Sequence, residues 1–280
     1  MKSFFVFLAV LAAPLWMSAG SKNLTVTNIA HAGFLLTDGS KKVLIDALTI
    51  PNPVWKYESA SPELRHKMET GQPPFDGIDL LLISHAHGDH FSAPLVLSFL
   101  LRNPKTMLLT TPEVRDNMKA SAQDFLKVAA QVVAPEVEWK HRATREIAGI
   151  QVEISRLDHG TVEHPSVLYS FLFVLGGKKV LCATGTHGDK PEEYRELGWA
   201  KRGIGVAFLS PLMVRFDAKN QASFNRDGLQ MVMELIAPAS IVIAHIGPDE
   251  KAQIEKLLPQ LQKECPGLVF MTKELESRAF

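Results

Sequence analysis

Leu80-Leu81-Leu82-Ile83-Ser84-His85-Ala86-His87-Gly88-Asp89-His90 sets three histidines and a carboxylate directly behind an apolar run. A short apolar run of this kind reads as a buried strand. The polar residues therefore stand where a rigid strand opens into a loop, which can aim several side chains at one point. Imidazole and carboxylate are the ligand types that suit Zn, Fe or Mn. Residues two apart in extended backbone share a face, so His85 and His87 hold one ion while Asp89 and His90 turn toward a second position. A lone histidine in such a loop reads as surface decoration. His-x-His-x-Asp-His behind a buried strand reads as a metal site.

Outward from this stretch the pattern alternates between strands and helices. Upstream, Leu24-Thr25-Val26-Thr27-Asn28-Ile29 alternates, Gly33 to Thr37 follows, and Asp38-Gly39 turns tightly into Lys42-Val43-Leu44-Ile45-Asp46, giving an antiparallel meander. Downstream, Ser92 caps a helix running to about Arg102 with Pro94 in its first turn, Met107 to Thr110 is a strand, and Thr111-Pro112 starts a second helix. Residues 132–155 return to short strands around a turn at Ala148-Gly149. Later apolar runs at Lys179 to Ala183, Val206 to Leu209, Ile241 to Ala244 and Leu268 to Met271 read as strands. Between them lie helical stripes at Leu229, Val232, Met233 and Ile236, and at Ile254, Leu257, Leu258 and Leu261. This is the alternation of an α/β fold. Residues 48–77 break the period with Pro51, Pro53, Pro62, Pro73 and Pro74. They read either as a flap whose Trp55 and Tyr57 contact substrate or as a packed surface excursion.

At 280 residues, 46% hydrophobic and 21% charged, the chain can bury a full core as one large domain or two packed halves. Its formal net charge of zero gives no electrostatic footprint for nucleic acid. Cys182 and Cys265 are too few for a disulfide framework and read as two buried thiols, with one disulfide as the alternative. Residues 1–20 have the form of a secretory signal: Lys2, an apolar run from Phe4 to Met17, then Ser18-Ala19-Gly20 with cleavage after Gly20. The alternative is an uncleaved anchor. The expected organisation is a signal at 1–20 and one domain at 21–280, exported to the periplasm or secreted, with no stable membrane insertion after cleavage.

The histidine-rich stretch resembles the metal-binding signature of the metallo-β-lactamase superfamily, and the resemblance runs from about Leu24 to the C-terminal strand. It implies an αββα sandwich, two mixed β-sheets face to face and flanked by helices. It also implies further ligands. His159, in Arg156-Leu157-Asp158-His159-Gly160, resembles the third histidine of the first ion, with His164 as a competitor. His245, which ends Ile241-Val242-Ile243-Ala244-His245, resembles the last ligand of the second. Asp46 resembles an aspartate that orients the metal loop, with a turn-forming or capping aspartate as the alternative. His31, in Ala30-His31-Ala32-Gly33, resembles a pattern in the branch containing sugar-phosphate lactonases and lipid phosphodiesterases, and it either lines the pocket or is a satisfied loop histidine.

Where most members carry Gly-Asp with a bridging carboxylate, this chain has Gly185-Thr186. A hydroxyl is a far poorer bridge. Either His187 or Asp189 swings in, or the site does without. In the latter case His85, His87 and His159 complete one tetrahedral ion with a water, while Asp89, His90 and His245 hold a second, weaker one. That six-ligand set resembles one subclass of true metallo-β-lactamases. The resemblance implies a hydrolase using one or two zinc ions, with Mn or Fe left open. A metal lowers the pKa of its water to about 7, Asp89 orients the nucleophile and takes its proton, and the carbonyl or phosphoryl centre of a small molecule is attacked. A true β-lactamase is the nearest alternative. A degenerate, non-hydrolytic member that binds metal or ligand is the alternative from another class, motivated by Thr186, and an oxidoreductase using one iron is a third. Arg215, Lys219, Asn225 and Arg226 either bind an anionic group of the substrate or are surface cations and amides.

Overall fold

The computed structural model describes residues 23–52, 57–121, 123–159, 166–186, 190–211, 213, 226–247 and 250–280. The signal-like residues 1–20 lie outside it, as do Trp55, Gly160, His164, His187, Asp189, Arg215, Lys219 and Asn225.

The N-terminal alternation folds as the expected meander, β1 (Thr25–Ala30), β2 (Gly33–Thr37) and β3 (Lys42–Ile45), all antiparallel. Asp38 Oδ1 accepts from the N–H groups of Ser40 and Lys41, and this fixes the β2–β3 turn. Strands β4 (Leu80–Leu82), β5 (Met107–Leu109) and β6 (Val132–Val133) continue the sheet in parallel. The second sheet repeats the plan. Strands β7 (Arg142–Ile147), β8 (Ile150–Leu157), β9 (Leu168–Leu175) and β10 (Lys178–Ala183) are antiparallel, and β11 (Val206–Leu209), β12 (Ser240–Ile243) and β13 (Leu268–Phe270) follow in parallel. A last strand, β14 (Ser277–Ala279), returns to pair with β1.

Period-two side chains bury both faces of both sheets. In β2, Phe34 and Leu36 enter the layer between the sheets, while Leu35 faces the helices outside. In β9, Tyr169, Phe171 and Phe173 face the same central layer, and Leu168 and Leu172 face the other helices. Helices α1 (Pro62–Thr70), α2 (Ala93–Arg102), α3 (Pro112–Ser121) and α4 (Phe125–Val128) cover the first sheet. Helices α5 (Pro191–Leu197), α6 (Arg226–Leu235) and α7 (Lys251–Glu264) cover the second. The expected αββα sandwich of two mixed sheets is therefore the observed fold. Each fully buried large side chain contributes about 1.5–3 kcal/mol, and three apolar layers supply many. Cys182 lies in the central layer and Cys265 in the outer layer of the second sheet, so both are free buried thiols.

Residues 48–77 divide between the two readings, because α1 packs their second half onto the first sheet. Pro62 takes the first helical turn, where a missing N–H costs nothing, Ser61 Oγ accepts from Leu64 N, and Gly71 closes the helix at φ 62°. Leu64 and Met68 bury beneath it. Ser92 does stand before α2, but its hydroxyl makes no cap bond. Its N–H instead donates to Leu48 O at 3.0 Å. Thr111 caps as expected, accepting from Val114 N at 3.2 Å.

Strand direction determines where chemistry gathers. Strands β1, β3 and β4 run the same way in one sheet, as do β8, β10 and β12 in the other. Their carboxyl ends meet at one edge of the sandwich, the usual place for ligands in sheets of this kind. Tyr169 N donates to Ser84 O at 2.9 Å and His245 N to His31 O at 3.1 Å, which stitches the two sheets together there. Close approach is required at Gly33. A Cβ on Gly33 would lie 2.9 Å from Ala47 Cα and 3.1 Å from Ala30 O, both backbone atoms. Gly33→Ala is expected to lose about 1–3 kcal/mol by overpacking, seen as a melting point lower by roughly 2–10 °C; an unchanged melt would mean the β1–β2 turn yields freely.

Candidate metal centre

Each candidate ligand sits just past a strand end. His31 occupies the β1–β2 turn, Asp46 follows β3, Ser84 to His90 follow β4, His159 follows β8, Thr184 to Thr186 follow β10 and His245 follows β12. His31, Asp46 and His245 adopt left-handed backbone, with φ of 48°, 42° and 61°. This conformation is uncommon outside glycine, and His, Asp and Asn are enriched among the residues that adopt it.

The donors form two abutting sets. His85, His87 and His159 make the first, and Asp89, His90, His245 and His31 the second. In the first, His85 Nε2 and His159 Nε2 face each other at 3.1 Å. Two nitrogens sharing one tetrahedral zinc at the usual Zn–N length lie roughly 3.3 Å apart. In the second, Asp89 Oδ2 lies 3.0 Å from His245 Nε2, 3.3 Å from His31 Nε2 and 3.5 Å from His90 Nε2. The rings of His85 and His90 are 4.1 Å apart, so the two sets are neighbours. His85 and His90 are fully buried, while His87, Asp89 and His245 are part-exposed and form the opening.

One carboxylate organises both sets. Asp46 is 1% exposed, and its Oδ1 accepts from Ser84 N at 2.8 Å. Its Oδ2 accepts from Ser84 Oγ at 2.8 Å, Thr184 Oγ1 at 3.0 Å and His90 Nδ1 at 2.9 Å. With its only hydroxyl proton given to Asp46, Ser84 Oγ accepts from His85 Nδ1 at 3.0 Å. An imidazole that donates from Nδ1 keeps a lone pair on Nε2 when neutral. Asp46 thus leaves the Nε2 of the neutral His90 ring directly, and that of His85 through Ser84, turned toward the donor sets. Among the described residues, His90 Nε2 is buried without a hydrogen-bond partner, an orphan that a cation would satisfy. The residues fit a metal on that observation and on the donor chemistry.

The electrostatics of His85 and His31 agree. Burial, with His90 and His159 beside it, holds the His85 imidazole well below its ordinary pKa, hence neutral as a ligand must be. Burial and His245 push His31 down to about 4. For His90, burial is outweighed by Asp89 and Asp46, which raise it. For Asp89, burial alone would raise the pKa, but His90, His245 and His31 hold the carboxyl well below the usual range.

The sequence-expected ligands thus fall together as two groups. Thr186 does not join them. It is fully buried, and its hydroxyl donates to Ala183 O at 3.1 Å and also lies against Met213 Sδ, so it faces the core rather than the histidines. His31, expected only to line the pocket or to be satisfied in its loop, stands among the donors of the second set. Tyr57, from the first half of the 48–77 segment, stacks on His31 at 5.0 Å. Its hydroxyl would lie 3.2 Å from a Cβ on Gly88, so that half of the segment does reach the centre. Burial and Asp89 push the Tyr57 phenol up to about 12. Sequence reasoning also missed Glu113, whose Oε2 accepts from Ser166 Oγ at 2.7 Å and Val167 N at 2.9 Å, while Ala86 N reaches Ser166 Oγ at 3.4 Å. Only the third dimension reveals that link.

An αββα sandwich carrying two histidine-rich donor sets at one edge defines a metallo-β-lactamase-type protein. The model of the beta-lactamase superfamily domain matches residues 41–251, and the chain belongs to that superfamily. A metal-dependent hydrolase of Pyrococcus furiosus is 43% identical over 65 residues, 23% of each chain. The chain thus spans about a quarter of the length of that curated relative. Among solved structures, a possible metal-dependent hydrolase of Veillonella parvula is 13% identical over 92% of this chain and all of that one, with a TM-score of 0.61. Igni18, a metallo hydrolase from Ignicoccus hospitalis, is 15% identical over 92% of this chain and 98% of its own, with a TM-score of 0.58. At such identities these two show the fold.

Proposed function

We propose that this chain is a metal-dependent hydrolase of small molecules, with zinc as its metal. The observation that carries the reading is the pair of abutting donor sets, open to solvent on the side of His87, Asp89 and His245. Imidazole-rich sets without thiolate suit zinc, and equally iron. A bound ion would lower the pKa of water from 15.7 to about 7 and polarise a carbonyl or phosphoryl oxygen. His85, His87 and His159 would hold the first ion with three nitrogens, and the wall formed by Asp46, Ser84 and Thr184 would keep the buried imidazoles in their binding tautomers. Asp89, at the opening, orients the nucleophile and takes its proton.

Zinc-loaded protein assayed on a chromogenic cephalosporin and on bis-nitrophenyl phosphate tests this. The expected result is turnover of the phosphodiester that a chelator abolishes and zinc restores. Turnover of the cephalosporin alone would favour the β-lactamase reading, which the absence of a carboxylate at Thr186 supports. Turnover of neither, with metal bound, would favour a binding protein. Chelation should also lower the melting point by on the order of 10 °C, since a ligand at about 1,000 times its Kd stabilises by about 4 kcal/mol. The apolar run from Phe4 to Met17 supports export as part of the same proposal. Mass spectrometry of the mature protein should find it beginning at Ser21, and a retained Met1 would overturn the cleavage.

A further inference from the structure

We propose that His31 is the fourth ligand of the second ion, which makes that site complete from four protein side chains and leaves the open coordination position to the three-histidine set alone. The inference rests on the two-set reading above and divides the labour between the sets.

The argument is one of tautomers. His31 Nδ1 lies 3.0 Å from Ile246 O, a carbonyl that can only accept, so Nδ1 carries the proton. The Nε2 of the neutral ring is then a bare lone pair, and it points at Asp89 Oδ2 at 3.3 Å. His90 repeats the arrangement, because its Nδ1 donates to Asp46 and its Nε2 stands 3.5 Å from the same oxygen. Lone pairs converging on a carboxylate oxygen repel unless a cation lies among them. The donor atoms of His31, Asp89, His90 and His245 all fall within 4.8 Å of one another. The placement of His31 is built rather than accidental. Its backbone holds φ 48°, its carbonyl accepts from His245 N at 3.1 Å, and its ring lies 4.5 Å from that of His245. The hydroxyl that stands where a bridging carboxylate was expected, Thr186, is turned toward the core. A histidine from the β1–β2 turn supplies the donor that the loop after β10 does not.

Closed four-ligand sites are the structural kind, and catalytic sites retain an open position. His85, His87 and His159 provide three ligands and therefore the water-bearing place. The second ion then serves to fix Asp89 and to place positive charge beside the reacting centre.

The test is a zinc titration of metal-free protein with calorimetry and elemental analysis, comparing wild type with His31→Asn. Asparagine tolerates the left-handed backbone, and its amide can donate to Ile246 O as Nδ1 does, but it has no atom at the Nε2 position. Wild type should bind two ions. The variant should keep the first at unchanged affinity and bind the second at least about 100-fold more weakly. Two ions bound by the variant with wild-type affinity would overturn the role of His31 and leave the two-set reading standing. A single ion bound by wild type would overturn both. Should the variant fail to fold by circular dichroism, the cobalt spectrum of wild type decides. Strong four-coordinate visible bands from the second equivalent support the proposal, and weak six-coordinate absorption overturns it.

Discussion

Asp46→Ala should destabilise the metal-free protein by about 4 kcal/mol or more and weaken both metal ions together. The stability estimate follows from the donors left behind. The N–H and hydroxyl of Ser84, the hydroxyl of Thr184 and Nδ1 of His90 all end on this carboxylate, which is 1% exposed. Each buried donor left unsatisfied costs about 1–3 kcal/mol, and alanine at φ 42° adds backbone strain. Relaxation recovers part of the sum, so the total falls in the range of the most damaging single substitutions. Asp46→Asn keeps one oxygen and the backbone conformation, and should lose only about 2 kcal/mol. The metal effect separates two accounts of the residue. If Asp46 orients His90 directly and His85 through Ser84, then Asp46→Asn weakens both ions by about 10–100-fold. If it only supports the loop after β4, the zinc titration of Asp46→Asn will show affinities near wild type despite the lower melting point. Weakening of the second ion alone would remove Ser84 from the account.

The sequence was most informative where one segment carries its own geometry. His85, His87, Asp89 and His90 follow a single buried strand, and their spacing alone assigns two to one position and two to another. The placement of His159 and His245 among the donors was legible through resemblance joined to a local cue, an apolar strand ending in histidine. The role proposed for His31 was not, because it depends on a carbonyl 215 positions away and on the turn of its own backbone. Neither leaves a mark on a window of sequence. Thr186 shows the complementary limit: its identity announced a missing carboxylate, but where its hydroxyl goes depends on Met213, in a different part of the chain. Helix α1 escaped for a local reason. The prolines that broke the pattern include the one that starts it, and the nine-residue helix buries only Leu64 and Met68.

Asp89→Asn should lower kcat/KM on bis-nitrophenyl phosphate by about 10²–10⁴-fold, the usual contribution of a positioned proton acceptor. The proposed function gives this one carboxylate two roles. Its Oδ2 gathers His31, His90 and His245 within 3.0–3.5 Å, and the group lies at the opening with 15% of its side chain exposed. Those histidines hold it ionised against the effect of burial, so at neutral pH it stands deprotonated at the opening. A carboxamide of the same size fills the space and retains one weak oxygen ligand, but it cannot take up that proton. Raising zinc separates the two roles. The variant should recover both ions at high zinc, verified by elemental analysis, while its kcat/KM stays far below wild type. Full recovery of kcat/KM once both ions are bound would make Asp89 a ligand only, and the proton acceptor would have to be sought elsewhere around the opening, with Tyr57 excluded because its phenol is held near 12 and stays protonated.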